Sequence, residues 1–340
     1  MLDGFLKDRI NKLLIWLLKI IFAFVISAAL SSCRNPLGGS SLALPGFLCA
    51  NCNISKADNP TYIAIAYSSS TVAYSSDAIK WTTSSLPASY GWRSAASSGL
   101  GRFVTVAYGS NKAAYSNDGV NWNLSTLPST STWFALTYGG GLFITISNSS
   151  NLFASSSDGI TWNQGALPTN SNWRSVCYGK GMYVAVASAS TDAAYSFDGI
   201  NWNASVLPTN SPWQSVVYGN GKFVAISGAG TAAAYSSDGI NWTSSILPSN
   251  SNWYSVTYGN GKFVAVSFGK NRAAYSSDGI NWTSSNLPSN DNWYSVTYGN
   301  GKFVTVAGDS TSSAYSYDGI NWFSSLLPTN VNWYAVSFGP

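Results

Sequence analysis

One unit of about forty residues, written seven times, limits what this chain can fold into. The octapeptide YSSDGINW stands at Tyr235–Trp242 and returns unchanged at Tyr275–Trp282, with close variants from Tyr115, Tyr195 and Tyr315. Its aspartates are Asp77, Asp118, Asp158, Asp198, Asp238, Asp278 and Asp318, spaced 41 residues once and then 40 five times. A tryptophan follows each aspartate in step, from Trp81 to Trp322. A second tryptophan series, Trp92 to Trp333, opens each succeeding segment. The unit shows no helical periodicity and is rich in Val, Tyr, Phe, Trp and Thr, so its period reads as a radial strand repeat rather than a helical solenoid.

The unit from Trp253 shows how the chain turns. WYSVTYG reads as a strand, GNG as a tight hairpin whose Asn and Gly tolerate positive φ, and KFVAVS as a second strand. RAAYSS makes a third strand, DGIN a turn, and WTSSNL a fourth. The expected fold is all-β: a seven-bladed β-propeller of four-stranded antiparallel blades over residues 61–340. The first unit lacks its opening strand and begins at YIAIAY, whereas the chain finishes on NWYAVSFGP, an opening strand with nothing after it. The C-terminal strand is therefore expected to complete the first blade and close the ring.

The first sixty residues read differently. Lys7, Arg9 and Lys12 precede an apolar run from Leu13 to Leu30, interrupted by Lys19 and ending in LSSC. A basic start, a short apolar stretch and small residues before a cut mark a secretory signal at 1–32. The run is also just long enough to span a membrane, so an uncleaved anchor is the alternative. LSSC resembles the lipobox of bacterial lipoproteins, which implies lipidation of Cys33, a linker over 33–60, and attachment to the cell envelope by the lipid alone. Arg34, rather than Asp, follows the cysteine and favours the outer over the inner membrane. In the linker, Cys49 and Cys52 form either a local disulfide or two idle thiols. Cys177 stands where sister repeats carry Thr and reads as a core filler.

Composition narrows the chemistry. The chain is 45% hydrophobic and 15% aromatic, far from a disordered composition, and only 9% charged. It contains no histidine, and all thirteen acidic residues are Asp. Histidine is the commonest general base and a frequent metal ligand, so most acid–base constellations are missing; neither a cofactor nor a metal site is expected. Without residues 1–32 the balance is 13 basic against 11 acidic residues. That net of +2 gives no electrostatic basis for binding nucleic acid. A monomer is expected.

SSDGINW resembles the Asp-box, or BNR repeat, of sialidase-like propellers, and the resemblance covers all seven units. Here the box is one residue shorter between Asp and Trp, and Ala78 replaces glycine in the first copy. The resemblance implies that the box forms the turn between third and fourth strands, with a structural role. The physical reading agrees: an Asp at a turn accepts bonds from the backbone N–H groups just ahead, and the Gly takes the left-handed position. Sialidases grip a carboxylate with three arginines, a part open to Arg93, Arg174 and Arg272. Their nucleophilic tyrosine works with a glutamate, which this chain lacks. Asp58, Asp192, Asp291 and Asp309 lie outside the boxes, and only Asp291 and Asp309 share a repeat. The expectation is that the protein is not an enzyme.

Function is sought where the repeats differ. The hairpin and box turns barely change, whereas the loops joining second to third strands differ in every repeat, from YGSNK to AGDSTS. Variable loops on a rigid scaffold are where binding usually lives. A second varied position follows the opening tryptophan near the expected channel mouth: Arg93, Phe134, Arg174, Gln214, Tyr254, Tyr294 and Tyr334. Guanidinium groups and aromatic faces there suit sugars, carboxylates or peptide side chains; the alternative is that they only pack between blades. Two readings stay open: a recognition module for a glycan or protein ligand, and an envelope scaffold with a broad protein interface.

Overall fold

Both residues at the tip of each GNG hairpin take left-handed backbone, and that is what brings the first two strands of a unit together. Asn260 and Gly261 have φ of 46° and 74°, the pattern of a type I′ turn, whose twist matches the strands it joins. A computed structural model describes residues 61–99 and 101–339, within a unit that runs from Ser55 to Pro340. The expected signal, linker and cysteines at 33, 49 and 52 lie outside the described residues. The described residues form strands and turns only, from β1 (Thr61–Ala66) to β23 (Trp333–Gly339). No helix among them is long and apolar enough to cross a membrane.

Every strand ladder is antiparallel. In the unit from Trp253, β15 (Asn252–Gly259) pairs with β16 (Lys262–Phe268), β16 with β17 (Arg272–Ser276), and β17 with β18 (Thr283–Asn286). The ladders do not all stop at unit boundaries, as separate four-stranded sheets would; they assemble into sheets of nine, six and eight strands. The reason is visible in β3 (Thr82–Ser97). Its first half pairs back, Tyr74↔Thr82 to Thr71↔Ser85, and its second half pairs forward, Gly91↔Tyr108 to Ser97↔Phe103. The extended stretch between them keeps β geometry and joins one ladder to the next. The register breaks there, between Ser69 and Thr71 on the partner strand.

The core is a series of layers between successive units. All seven opening tryptophans, Trp92 to Trp333, are fully buried. Each donates its indole N–H to the backbone carbonyl four residues upstream, at 3.0–3.2 Å. Each ring therefore contributes roughly 4–6 kcal/mol of apolar burial as an upper bound, with its one polar atom satisfied. Neighbouring units also meet at a glycine. A Cβ on Gly179, Gly219 or Gly259 would lie 2.0 Å from the ring of Tyr218, Tyr258 or Tyr298. Only glycine admits the aromatic ring of the next unit at that distance.

The two ends of the repeat array meet. Strand β23 pairs with β1 from Thr61↔Gly339 to Ala66↔Trp333. Val304, Val306 and Trp333 pack with Tyr62, Ala64 and Ala73 in one buried cluster. Lys302 donates from its hairpin to the Asp77 carbonyl at 3.0 Å. Elsewhere Asn220 and Asn260 reach the carbonyls of Ser277 and Tyr317, 57 residues on in each case.

Candidate functional site

The box turns are electrostatically complete. Asp238 Oδ1 accepts the backbone N–H groups of Ile240 at 2.9 Å and Asn241 at 2.8 Å, and the Ser236 hydroxyl at 2.9 Å. Its Oδ2 accepts the Asn241 side-chain amide at 2.9 Å, while Ser236 Oγ accepts the Gly239 N–H at 2.8 Å. The Asn241 amide groups thus hold the Asp238 carboxyl well below the usual range, and the Asn201 backbone amide does the same for Asp198. The other boxes repeat the pattern; in the first copy Asp77 accepts from Ile79 and Lys80. In five boxes both carboxylate oxygens are engaged by the turn itself; in the first and third, where Lys80 and Thr161 replace Asn, the turn bonds are to Oδ1.

The position after each opening tryptophan behaves differently. Six of its side chains converge from separate units on the axis of the ring. The Arg93 guanidinium lies 3.8 Å from the centroid of Phe134 and 3.9 Å from that of Tyr334. It donates to the Tyr254 hydroxyl at 3.1 Å across 161 residues of sequence. Tyr254 and Tyr334 share a hydrogen bond of 2.7 Å, and Tyr294 stacks on Tyr334 with centroids 4.1 Å apart. Arg174 approaches the Phe134 ring at 4.5 Å. Contacts between units four repeats apart mean that this cluster crosses the channel rather than lining one wall.

Two cavities share the cluster. One, of about 140 Å³, is lined by Gln214 and by inner-strand residues including Ser94, Ser175, Ser215, Ser255 and Ser295. These serines accept the backbone N–H of the next unit's inner strand, as Ser175 does from Val216 at 3.1 Å. The other, of about 430 Å³, opens toward the variable loops and adds Tyr67, Tyr108, Asn148 and Asn332. Arg93, Phe134, Arg174, Tyr254, Tyr294 and Tyr334 form the partition.

The partition carries two cations and no anion. No acidic side chain lines either cavity, and the nearest acid felt there is Asp309, which acts on the Tyr294 hydroxyl from outside. Arg93 is only 8% exposed, so its charge is held by ring faces and a hydroxyl instead of a carboxylate. Arg174 is half-buried; its Nε is enclosed and has no hydrogen-bond partner. Burial, and then the like charge of Arg93, push the Arg174 guanidinium below its ordinary range. Burial pushes the Tyr334 and Tyr294 hydroxyls up, so both remain neutral donors at physiological pH.

Arg272 is not part of this constellation. It lines neither cavity, and its Nη1 donates to the Asn250 carbonyl at 2.6 Å. The three-arginine arrangement is thus reduced to two. Asp291 and Asp309 do not supply a carboxylate pair either: Asp291 accepts from Ser289 within its own loop, and Asp309 holds a left-handed turn at φ 52°. Cys177 is buried, and burial pushes its thiol up. Among the described residues no cluster of acidic and cysteine side chains could hold a metal.

Four residues of the larger cavity escape a reading of the opening-tryptophan column. Tyr67, Tyr108 and Asn148 occupy one position, just after the second strand, that reads Tyr, Tyr, Asn, Ser, Gly, Phe, Gly through Gly308. That column varies as strongly as the first. Its variation was the available signal.

No family model matches the chain, and no curated protein does. Solved structures do. Streptogramin B lyase superposes with a TM-score of 0.68 at 13% identity, covering 82% of this chain and 91% of that one. Virginiamycin B lyase from Staphylococcus aureus, in a catalytically inactive histidine-to-alanine form with quinupristin, gives 0.64 at 14%, covering 70% and 84%. YCF48 bound to D1 peptide gives 0.58 at 17%, covering 73% and 86%. The chain has a β-propeller fold.

These likenesses correct one expectation. The absence of Glu and His pointed away from an enzyme, yet this fold is shared with lyases, which are enzymes. Missing residue types remove particular constellations, not catalysis as such, since tyrosine can also carry acid–base chemistry. The histidine whose loss inactivates the lyase has no counterpart in a chain without histidine. The likeness therefore carries the fold and not that residue.

Proposed function

We propose that the ladders resolve into seven four-stranded blades of an Asp-box propeller, and that the Arg93–Arg174 partition recognises an anionic group on a ligand entering from the variable-loop face. Register breaks at the unit boundaries support the blade division. The binding reading rests on one observation: two guanidinium groups face a cavity that no acidic residue lines, and the Nε of Arg174 has no hydrogen-bond partner. Such a pair is stable in the empty protein only at the cost of like-charge repulsion, which an anion relieves. The Tyr254 and Tyr334 hydroxyls spend one proton on their mutual hydrogen bond, which leaves one neutral donor between them. A propeller neighbour, YCF48, is solved bound to a peptide, so the fold accommodates one.

The test is a thermal-shift and calorimetric screen of the full-length chain against small carboxylates, sulfated sugars and phosphorylated compounds. Arg174→Gln should fold normally and weaken anion binding at least tenfold. Equal affinity in both proteins would remove the site from the account.

A second reading draws on the outer rim. Phe197, Ile200, Val206 and Ile246 are 60–71% exposed, and Val206 bridges to Asn241 of the next unit. Exposed apolar side chains on the rim suit a protein interface. Co-purification lost in Ile246→Asp but kept in Arg174→Gln would favour it.

A further inference from the structure

The partition closes the channel, and that fixes how a ligand can use the larger cavity. Arg93 bonds Tyr254 from across the ring, Tyr254 bonds Tyr334, and Tyr294 stacks on Tyr334. A chain cannot thread through. Whatever enters from the loop face must stop at the partition, so the cavity admits an end and not the middle of a polymer.

The end it admits is set by what remains unoccupied there. Both faces of Tyr334 are covered, one by the Arg93 guanidinium at 3.9 Å and the other by Tyr294 at 4.1 Å. Phe134 carries both guanidinium groups, and Tyr254 sets its ring edge-on to Tyr294 and Tyr334. The rings are used against each other and against the arginines. No open aromatic platform is left at the floor for a sugar ring. The group still available is the Arg174 guanidinium, which presents a planar fork of donors. A fork of N–H groups is matched by a planar carboxylate.

We infer that the larger cavity receives the C-terminal end of a peptide, its terminal carboxylate docked on Arg174 and its last side chain directed along Tyr67 and Tyr108. This rests on the reading of the partition as an anion site and adds which anion and in what position. A main-chain carboxylate ends the peptide where the channel ends, whereas an aspartate or glutamate within a chain would require both flanking segments to fit a blind cavity. Asn148, itself 8% exposed at the cavity wall, spends its amide within the protein, Nδ2 donating to the Trp173 carbonyl at 3.4 Å and Oδ1 accepting from the Ser149 hydroxyl at 2.8 Å, and so shapes the wall.

The experiment uses the full-length chain and a library of random hexapeptides attached through their N-termini, presented as free acids and, in parallel, as C-terminal amides. A third set carries a glutamate at the central position and an amidated end. Benzoate serves as a small carboxylate, and glucuronic acid as a carboxylate on a sugar. Free acids should bind at least tenfold more tightly than their amides, and Arg174→Gln should bring that ratio to about one while Arg174→Lys keeps part of it. If the amidated central-glutamate peptides bind as well as the free acids, the terminal inference falls and anion recognition stands. Glucuronic acid binding through Arg174 with no peptide preference has the same consequence. Failure of benzoate, glucuronic acid and every peptide alike overturns both readings.

Discussion

The box turns and the channel partition are built from the same repeat, and they treat charge in opposite ways. At each box a carboxylate is surrounded by its own turn: two backbone amides, a serine hydroxyl and, where Asn follows, a side-chain amide. At the partition two guanidinium groups meet without an acid, and one Nε is enclosed with no partner. The first region is repeated because its interactions are local and any unit can make them. The second cannot be repeated, because each unit contributes one side chain to a single shared cluster. Uniformity marks what holds a unit together, and variation marks what the units build jointly.

The largest expected effect tests whether the partition needs a closed ring. Removing residues 333–340 deletes the partner of β1, a fully buried tryptophan and Tyr334 together. Stability should fall by several kcal/mol out of the roughly 5–15 typical of a folded domain, with loss of a cooperative melt and of anion binding. A truncated chain that melts as the full one does would mean that the C-terminal strand is dispensable to the ring.

A smaller effect separates the two regions directly. Asp238→Ala leaves two turn amides without their acceptor and should cost about 1 kcal/mol, the low end for a charged acceptor because water reaches this exposed turn. Anion affinity should stay within twofold of wild type. The same contrast appears with pH. The Asp198 and Asp238 carboxyls are held below their ordinary values, so their stabilisation is complete above the unfolded value near 3.9 and is lost as pH falls through the lower folded values. Melting temperature should be flat from pH 7 to about pH 5 and drop below about pH 4, more gently in Asp238→Asn. Arginine and tyrosine do not titrate there, and anion affinity at pH 5 should match that at pH 7. A loss of affinity in Asp238→Ala at unchanged stability would make the box part of the site.

The smallest effect concerns the one imperfect box. Ala78 holds φ 63° where its sister boxes place glycine at 72–74°, and its side chain is fully buried. Left-handed backbone disfavours alanine by about 1–2 kcal/mol, against about 0.8 for the buried methyl. Ala78→Gly should therefore stabilise by roughly 0.5 kcal/mol, read as a small rise in melting temperature. No rise would show that the first box is already relaxed by its neighbours.

Much of the fold was legible because its causes are local. GNG between two apolar strands specifies its turn, and the unbroken run FVAV within KFVAVS marks a strand buried on both faces. The pairing of the two chain ends followed from YIAIAY lacking a preceding strand and NWYAVSFGP lacking a following one. Less legible was the continuity of the sheets, since segments such as residues 86–90 carry no strong strand pattern and are drawn into β geometry by the ladders on either side. The partition was half legible. Variation after the opening tryptophan located the column, but not that Arg93 would be consumed by two rings while Arg174 stayed free, nor that Arg272 would bond a carbonyl elsewhere. Those outcomes depend on which side chains meet across the axis, and sequence spacing does not encode that.

The pairing of β1 with β23 has a consequence during synthesis. Residues 61–66 emerge from the ribosome well before their partners at 333–339, which are translated about 270 residues later. At about 5–20 residues per second the first strand waits on the order of tens of seconds with one edge open. In that interval it is presented with earlier inner strands of nearly the same sequence, WRSVCYG and WYSVTYG among them. Correct closure is thus a contest between an early, nearby, almost identical partner and a late, distant, correct one. Phe338 stands where five other units carry tyrosine and one carries Ser97, packs on the ring of Tyr62 at 4.8 Å, and belongs to the correct partner alone.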